Sequence, residues 1–322
     1  MDAYIRHHDF WFDDGNIVIL AEDTVFRLHR GVLARHSEVF RDMFGLAQPL
    51  NEHLIDELPV VEVLDTSEDF TILLSVLYDG DLRRILGARE PLPFPTVSAF
   101  LRLGFKYHIA VIREEAIYRL GLCFPTTLED YDPDIFMQRE MPDVRRIKRG
   151  WLPIALKRSD AIEVVNLAHS FDLDNLLPSA YYVCAQLPTF KLCYAVEENR
   201  LDTLDLIRIF DGHKELTMLE FQKTSVLFQQ RTSEQCKTVE FCQTIMGDIA
   251  LEYHPDKETL TFQECFKAPK DDGSWWKSLA DDGLCQGCLE HVSQEYAEEI
   301  NWIWSNLAEI FALDIPWPPS GS

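Results

Sequence analysis

The 322-residue sequence contains no run of about 18 apolar residues, the length with which a helix crosses a bilayer core. Its opening residues, Asp2, Arg6, His7, His8 and Asp9 among them, lack the apolar centre of an export signal. We therefore expect an intracellular protein, in the cytoplasm, the nucleus or both, with no membrane partner. Positive charge is scarce as well: 30 Lys and Arg against 54 Asp and Glu leave a formal net charge of -24. Such a surface repels phosphate backbones and anionic lipid, so direct nucleic-acid binding is not expected. The local exception, Arg145-Arg146-Ile147-Lys148-Arg149 with Lys157-Arg158 after it, has the make-up of a nuclear-import or anion-binding patch. A cluster this short is more often a solvated loop that offsets neighbouring acids.

Catalytic signatures are missing too. There is no Gly-x-Ser-x-Gly, no phosphate loop ending in Gly-Lys-Ser/Thr and no His-Glu-x-x-His. Acidic pairs such as Glu114-Glu115, Glu197-Glu198 and Glu298-Glu299 read as solvated helix faces. No kelch repeat, ankyrin repeat or Cys2His2 finger is visible, so no pathway can be read. What the chain does have is 47% hydrophobic residues, enough to build two compact domains.

The most informative stretch begins at Phe12-Asp13-Asp14-Gly15. Ile17–Leu20 and Val25–Leu28 are short β-branched apolar runs separated by Ala21-Glu22-Asp23-Thr24, the pattern of a hairpin. The period then becomes helical: Val32, Leu33, Val39, Phe40, Met43 and Phe44 recur at helical spacing, with Ser37 placed to cap a second short helix. This order closely resembles the BTB (POZ) domain, whose places are filled by Asp14, Phe26, His29, Leu33, Ser37, Phe40, Met43 and Phe44. The resemblance continues through the strand Val60–Val63, a helix from Phe70 to Tyr78-Asp79-Gly80, and a closing helix pair over Val97–His108 and Ile109–Leu122. Within that pair, Leu103-Gly104-Phe105-Lys106-Tyr107 stands in place of the usual Leu-Ala-x-Lys-Tyr, and Gly80 suits a left-handed helix cap. His29 beside Asp14 is read as fixing the corner between strand and helix through hydrogen bonds, in preference to a general base.

Beyond Leu122 proline, acid and base mix up to Pro153, which suggests an irregular connection. Helical period returns at Ile162, Val165, Leu167 and Ala168, again at Leu173–Tyr181, and again at Leu201–Phe210, with Gly212 expected to separate two further helices. A shift of 64 residues aligns Leu103 with Leu167, Ile109 with Leu173, Ala116 with Ala180 and Tyr118 with Tyr182, a weak echo of two helix pairs. Val292 through Phe311 reads as one long amphipathic helix before a Pro316-Trp317-Pro318-Pro319 tail. This half is similar to the tail of long fungal BTB proteins, where a Cys-x-x-Cys precedes a helix with a Trp-x-x-Leu-Pro-x-x-Phe-Gly-Leu ending. Here Trp304–Leu313 matches that ending, with Ala308 and Ala312 where Pro and Gly are usual. The expected fold is α+β: a BTB domain of a small sheet with surrounding helices at 1–124, a linker at 125–158, an all-α domain at 159–313 and a Pro-rich tail at 314–322.

Eight cysteines in a chain without an export signal are read first as reduced thiols. Cys123, Cys184 and Cys193 sit in apolar helical segments, as core residues do. Cys236-x5-Cys242 and Cys285-x2-Cys288 form two pairs that can share one structural zinc, with Cys265 or His291 as substitutes. The resemblance to the fungal proteins adds that an upstream cysteine pair commonly accompanies the later one. Unpaired buried thiols are the commoner reading of such cysteines and stand ahead of zinc, and a redox Cys-x-x-Cys is a remote one, since no thioredoxin-like βαβ pattern surrounds it.

The resemblance implies a non-catalytic interaction protein that self-associates through its first helical surface and, as many members of the family do, docks on a cullin-type ubiquitin-ligase scaffold while the helical domain holds protein substrates. Phe10-Trp11-Phe12, Arg41-Met43-Phe44 and Tyr107 are the assembly candidates. A stand-alone oligomeric scaffold or a transcription-related adaptor is the alternative.

Overall fold

Runs of β-branched and other apolar residues and a tight polar turn make β2 (Ile17–Ala21) and β3 (Thr24–Leu28) an antiparallel hairpin, in register from Ile17 against Leu28 to Ala21 against Thr24. The turn passes through Glu22 at φ 55°, a left-handed residue that lets a two-residue loop follow the strand twist. In this computed structural model, which describes residues 4–46, 54–78, 90–136, 147–227, 232–252 and 274–319, the hairpin is the centre of a five-stranded sheet. Its order is β1-β3-β2-β5-β4, with β1 at Ile5–Trp11, β4 at Leu54–Ile55 and β5 at Leu58–Val63. All five residues of β2 are buried, as befits a strand with neighbours on both sides and both faces covered. β1 and β4 are the sheet's edges.

Helices α1 (Arg30–His36), α2 (Glu38–Gly45), α3 (Ser67–Tyr78), α4 (Phe94–Lys106) and α5 (Ala110–Cys123) complete this part. Gly104 explains itself here: a Cβ at that position would lie 2.8 Å from Cβ and 2.9 Å from Cα and N of Arg113, so only glycine lets α4 and α5 approach this closely. Four aromatic rings form the interior: Phe26 and Phe40 pack edge-on against Phe70, and Phe40 stacks on Tyr107 with centroids 4.5 Å apart.

The chain separates into two compact units, residues 1–123 with 143–156, and residues 124–142 with 157–322. Residues 125–158, which read as an irregular connection, thus carry anchored pieces in each unit. In the first, β7 (Ile154–Ala155) pairs in parallel with β6 (Leu92–Pro93). The buried Arg119 guanidinium holds that pairing in place, donating to the carbonyls of Glu90 (3.0 Å) and Pro153 (2.7 Å) and pairing with Glu115 at 2.6 Å. Ile147 of the basic run is buried and Arg149 donates to the Leu122 carbonyl at 2.7 Å, while Arg145 and Arg146 lie outside the described residues. In the second unit, the Trp304 indole N–H donates to the Thr126 carbonyl at 2.9 Å, and Tyr131 packs on Tyr182 and Trp304.

The second unit is helical: α6 (Ala161–Ser170), α7 (Leu177–Ala185), α8 (Thr189–Glu197), α9 (Thr203–Leu227), α10 (Val239–Glu252), α11 (Ser274–Asp281), α12 (Gln286–Ser305) and α13 (Leu307–Ile310). Two expectations need correction. Gly212 does not separate helices but lies inside α9, where the ring of Phe311 presses on the bare Cα; period alone cannot tell a glycine of close approach from a breaker. The last long helix is interrupted at Asn306, whose backbone and side-chain N–H groups both turn back to the Trp302 carbonyl (3.1 and 2.7 Å) and so close the helix locally.

One helix ending recurs in both units. A non-glycine residue takes left-handed φ, and the next N–H reaches back five residues to a helix carbonyl, as in a Schellman cap. It occurs at His108 (φ 52°, Ile109 N–H to Gly104 O, 2.9 Å), Asp172 (54°, Leu173 to Ala168, 2.9 Å), Asn199 (55°, Arg200 to Ala195, 2.7 Å) and Ala312 (49°, Leu313 to Ala308, 2.8 Å). The first two lie at the same 64-residue shift that aligns the sequence echo. The echo ends at its fourth pair, since Tyr182 is buried and Tyr118 is 57% exposed. No helix among the described residues is long and apolar enough to cross a membrane.

Candidate functional site

The motif residues of the first unit fall into two groups. At the corner between β3 and α1, His29 Nε2 lies 3.1 Å from Asp14 Oδ1, and the His29 backbone N–H donates to the Tyr78 hydroxyl at 2.8 Å. Phe12 covers this corner, stacked on Tyr78 with centroids 4.9 Å apart. The hydrogen bond from His29 is the main cause holding the exposed Asp14 carboxyl below the usual carboxylate range. The arrangement fastens a strand end to a helix end. Phe26 and Leu33 are fully buried beneath it. Gly80 lies outside the described residues.

The second group joins α2 to the end of α4. Ser37 Oγ accepts from the Phe40 N–H at 3.1 Å, capping α2, and donates to the Tyr107 carbonyl at 2.6 Å. The Tyr107 hydroxyl donates to Asp65 Oδ2, while Lys106 Nζ lies 2.7 Å from Asp65 Oδ1. Burial, then the Asp65 carboxylate, push the Tyr107 hydroxyl far above the usual phenol range, so it stays a donor. Asp65 escapes the sequence reading because a single acid in a Leu-Asp-Thr-Ser loop carries no pattern. Arg102, which reaches Asp69 at 2.9 and 3.2 Å and ties α4 to α3, escapes it for the same reason.

Of the assembly candidates, Phe10 is buried, Trp11 is half-buried under Arg6, whose guanidinium carbon lies 4.5 Å from the ring, and Arg41 is exposed beside Glu38. Met43 and Phe44 are half-buried, the latter under Arg30. The outer edge of the sheet presents Tyr4 (37% exposed) and Ile5 (56%). A cleft of about 400 Å³ opens elsewhere on the same unit, between the α1–α2 junction, the end of α3 and the start of α5, lined by Arg35, Arg41, Leu77, His108 and Val111 among others.

In the second unit the structure brings together four of the predicted cysteines. The sulfurs of Cys236, Cys242, Cys285 and Cys288 all lie within 4.8 Å of one another, with Cys236 and Cys285 at 3.7 Å. Cys236 ends a turn closed by its N–H to Ser233 O (2.9 Å), Cys242 sits on the first turns of α10, Cys285 is the N-cap of α12 and Cys288 follows in its first turn. Both helix starts therefore point their positive ends at the sulfurs, which favours thiolate. Around them, Ser233 N–H donates to Cys288 Sγ at 3.4 Å and Thr238 Oγ1 lies 3.4 Å from Cys242 Sγ. Burial opposes ionisation of Cys242, but hydrogen bonds from Thr238, the Cys285 N–H and the neighbouring thiols hold its pKa down to about 7. Burial pushes the Cys288 thiol up. His291 stands apart, 3.5 Å from Glu295, and Cys265 lies outside the described residues. Cys123 and Cys184 are buried, and Cys193 is half-buried.

Residues 7–115 match the family model of the BTB/POZ domain. No curated protein matches the chain. The N-terminal unit is a BTB domain, a small sheet with helices around it, and a largely helical region follows. BTB domains are modules of protein–protein interaction that commonly self-associate and bind other proteins, and they are generally not enzymes.

Proposed function

We propose that this chain is a non-catalytic adaptor that self-associates through its BTB domain, docks on a cullin-type ubiquitin-ligase scaffold, and offers its helical region to client proteins. The observation that carries the self-association is the edge position of β1 with Ile5 56% exposed at its start. An exposed edge strand is a template onto which another chain adds a strand. The cleft between α1, α2, α3 and α5, with Val111 39% exposed at its rim, is the place on the domain suited to a helical scaffold. Neither role asks for a reactive group, in keeping with the structural tasks of Asp14, His29 and Tyr107.

The test uses two differently tagged copies of the full chain. Capture through one tag should recover the other, and Ile5→Lys should abolish recovery, while Phe190→Lys on the helical unit leaves it intact. Absence of co-capture for the folded wild type would remove self-association from the account. Titration against the N-terminal region of a cullin scaffold should give micromolar or tighter binding that Val111→Asp weakens at least tenfold, about 1.4 kcal/mol. No binding by folded chain would leave the oligomeric scaffold as the function.

A further inference from the structure

We propose that Cys236, Cys242, Cys285 and Cys288 together bind one zinc ion as four thiolates, fastening the start of α10 to the start of α12. This inference stands independently of the adaptor function.

The geometry is that of a tetrahedral all-sulfur site. Zn–S bonds of about 2.3 Å at tetrahedral angles put the sulfurs about 3.8 Å apart. Cys236 and Cys285 are at 3.7 Å, and all four sulfurs fall within 4.8 Å of one another, so closing on an ion asks for shifts of an ångström or less per sulfur. A disulfide would need about 2.05 Å between two chosen sulfurs, and the layout is a convergence of four, not two separate pairs. The five residues between Cys236 and Cys242 exceed the usual two to four, and they are accommodated because Cys236 closes a turn with Ser233 and Cys242 lies on the first turns of α10. The donor set is soft and closed, with no carboxylate or imidazole among the four, which selects a structural zinc and leaves no open coordination position for catalysis.

The surroundings fit the same conclusion. The Ser233 N–H at Cys288 and the Thr238 hydroxyl at Cys242 are the outer contacts that orient sulfur ligands. The apolar cluster here comprises Cys242, Met246, Leu279, Leu284, Cys288, Val292 and Tyr296, two of which are themselves ligands. A core this small gains much from an ion, and binding free energy becomes folding free energy. On binding, Zn²⁺ replaces the thiol protons, which pass to solvent; no electron is transferred.

The experiment uses the full chain, purified with reductant and without chelator. Elemental analysis should find one zinc per chain, and replacement by Co²⁺ should give the absorption of tetrahedral thiolate coordination. Cys242→Ser and Cys288→Ser should each weaken zinc retention against a chelating dye by roughly a hundredfold or more, the scale of a disrupted site. Cys193→Ser, outside the cluster, should retain full zinc. A chelator should lower the melting temperature of the wild type and leave Cys242→Ser/Cys288→Ser unchanged. Should the variants not fold, the wild-type stoichiometry and cobalt spectrum decide alone. A folded, reduced chain that takes up neither zinc nor cobalt overturns the proposal, as does iron in place of zinc or a disulfide among the four found by mass spectrometry of chain kept under reductant.

Discussion

Adding a single methyl group at Gly212 tests how the helical unit is packed. A Cβ there would lie 2.1 and 2.2 Å from Cδ1 and Cε1 of Phe311, where carbon atoms ordinarily rest about 3.5–4.0 Å apart. The ring must retreat by about 1.5 Å, the difference between those distances. It has little room to do so, being fully buried with its centroid 5.5 Å from that of Tyr181. Overpacking of this kind costs about 1–3 kcal/mol, and a displacement this large belongs at the upper end. Against it stands the gain of about 1 kcal/mol that alanine brings over glycine inside a helix. Gly212→Ala should therefore destabilise the unit by about 2 kcal/mol. Phe311→Ala alone should cost about 3–5 kcal/mol by leaving a cavity. In that background the new methyl meets no ring, so Gly212→Ala should stabilise by about 1 kcal/mol, and the two changes should couple by about 3 kcal/mol. Urea unfolding of the four full-length proteins, followed by far-UV circular dichroism, measures the cycle. Additive effects, or stabilisation by Gly212→Ala in the wild type, would refute the close approach.

Arg119→Met in the first unit should cost about 3–5 kcal/mol, because it strands the largely buried Glu115 carboxylate together with the carbonyls of Glu90 and Pro153. Adding Glu115→Leu should recover most of that loss, and a urea midpoint barely moved by Arg119→Met would contradict the role given to it. Ala312→Gly should raise the melting temperature, by about 1 kcal/mol of stability, since it relieves left-handed strain at φ 49° and removes only the methyl of an exposed residue. A lowered melting temperature would show that this methyl packs usefully.

The fold was legible wherever local chemistry repeats. The β-branched runs on either side of a polar turn mark the hairpin at Ile17–Leu28, Ser37 stands where an N-cap should, the BTB resemblance places α3 to α5 and helical spacing places α6 and α7 within a few residues of their observed spans. What stayed hidden depends on partners distant in sequence. Gly212 reads as a breaker until Phe311, 99 residues on, is seen against it. Arg119 looks like any helical arginine until β6 and β7 bring two carbonyls to it. The helix caps at His108, Asp172, Asn199 and Ala312 were missed for a different reason: His, Asp and Asn take that conformation more often than other residues with a side chain but far more often do not, and Ala rarely takes it. Of the candidate residues, the four cysteines were legible as two pairs from spacing, whereas Asp65 and Arg102 have no spacing rule to reveal them.

Self-association through the edge of the BTB sheet is the central claim, and sedimentation equilibrium of the untagged full chain over a range of concentrations tests it most directly. The account predicts a mass rising with concentration to at least twice the 37.3 kDa of one chain, and a return to 37.3 kDa for Ile5→Lys with the circular dichroism spectrum unchanged. A folded wild-type protein that sediments as a single chain at every concentration would contradict it.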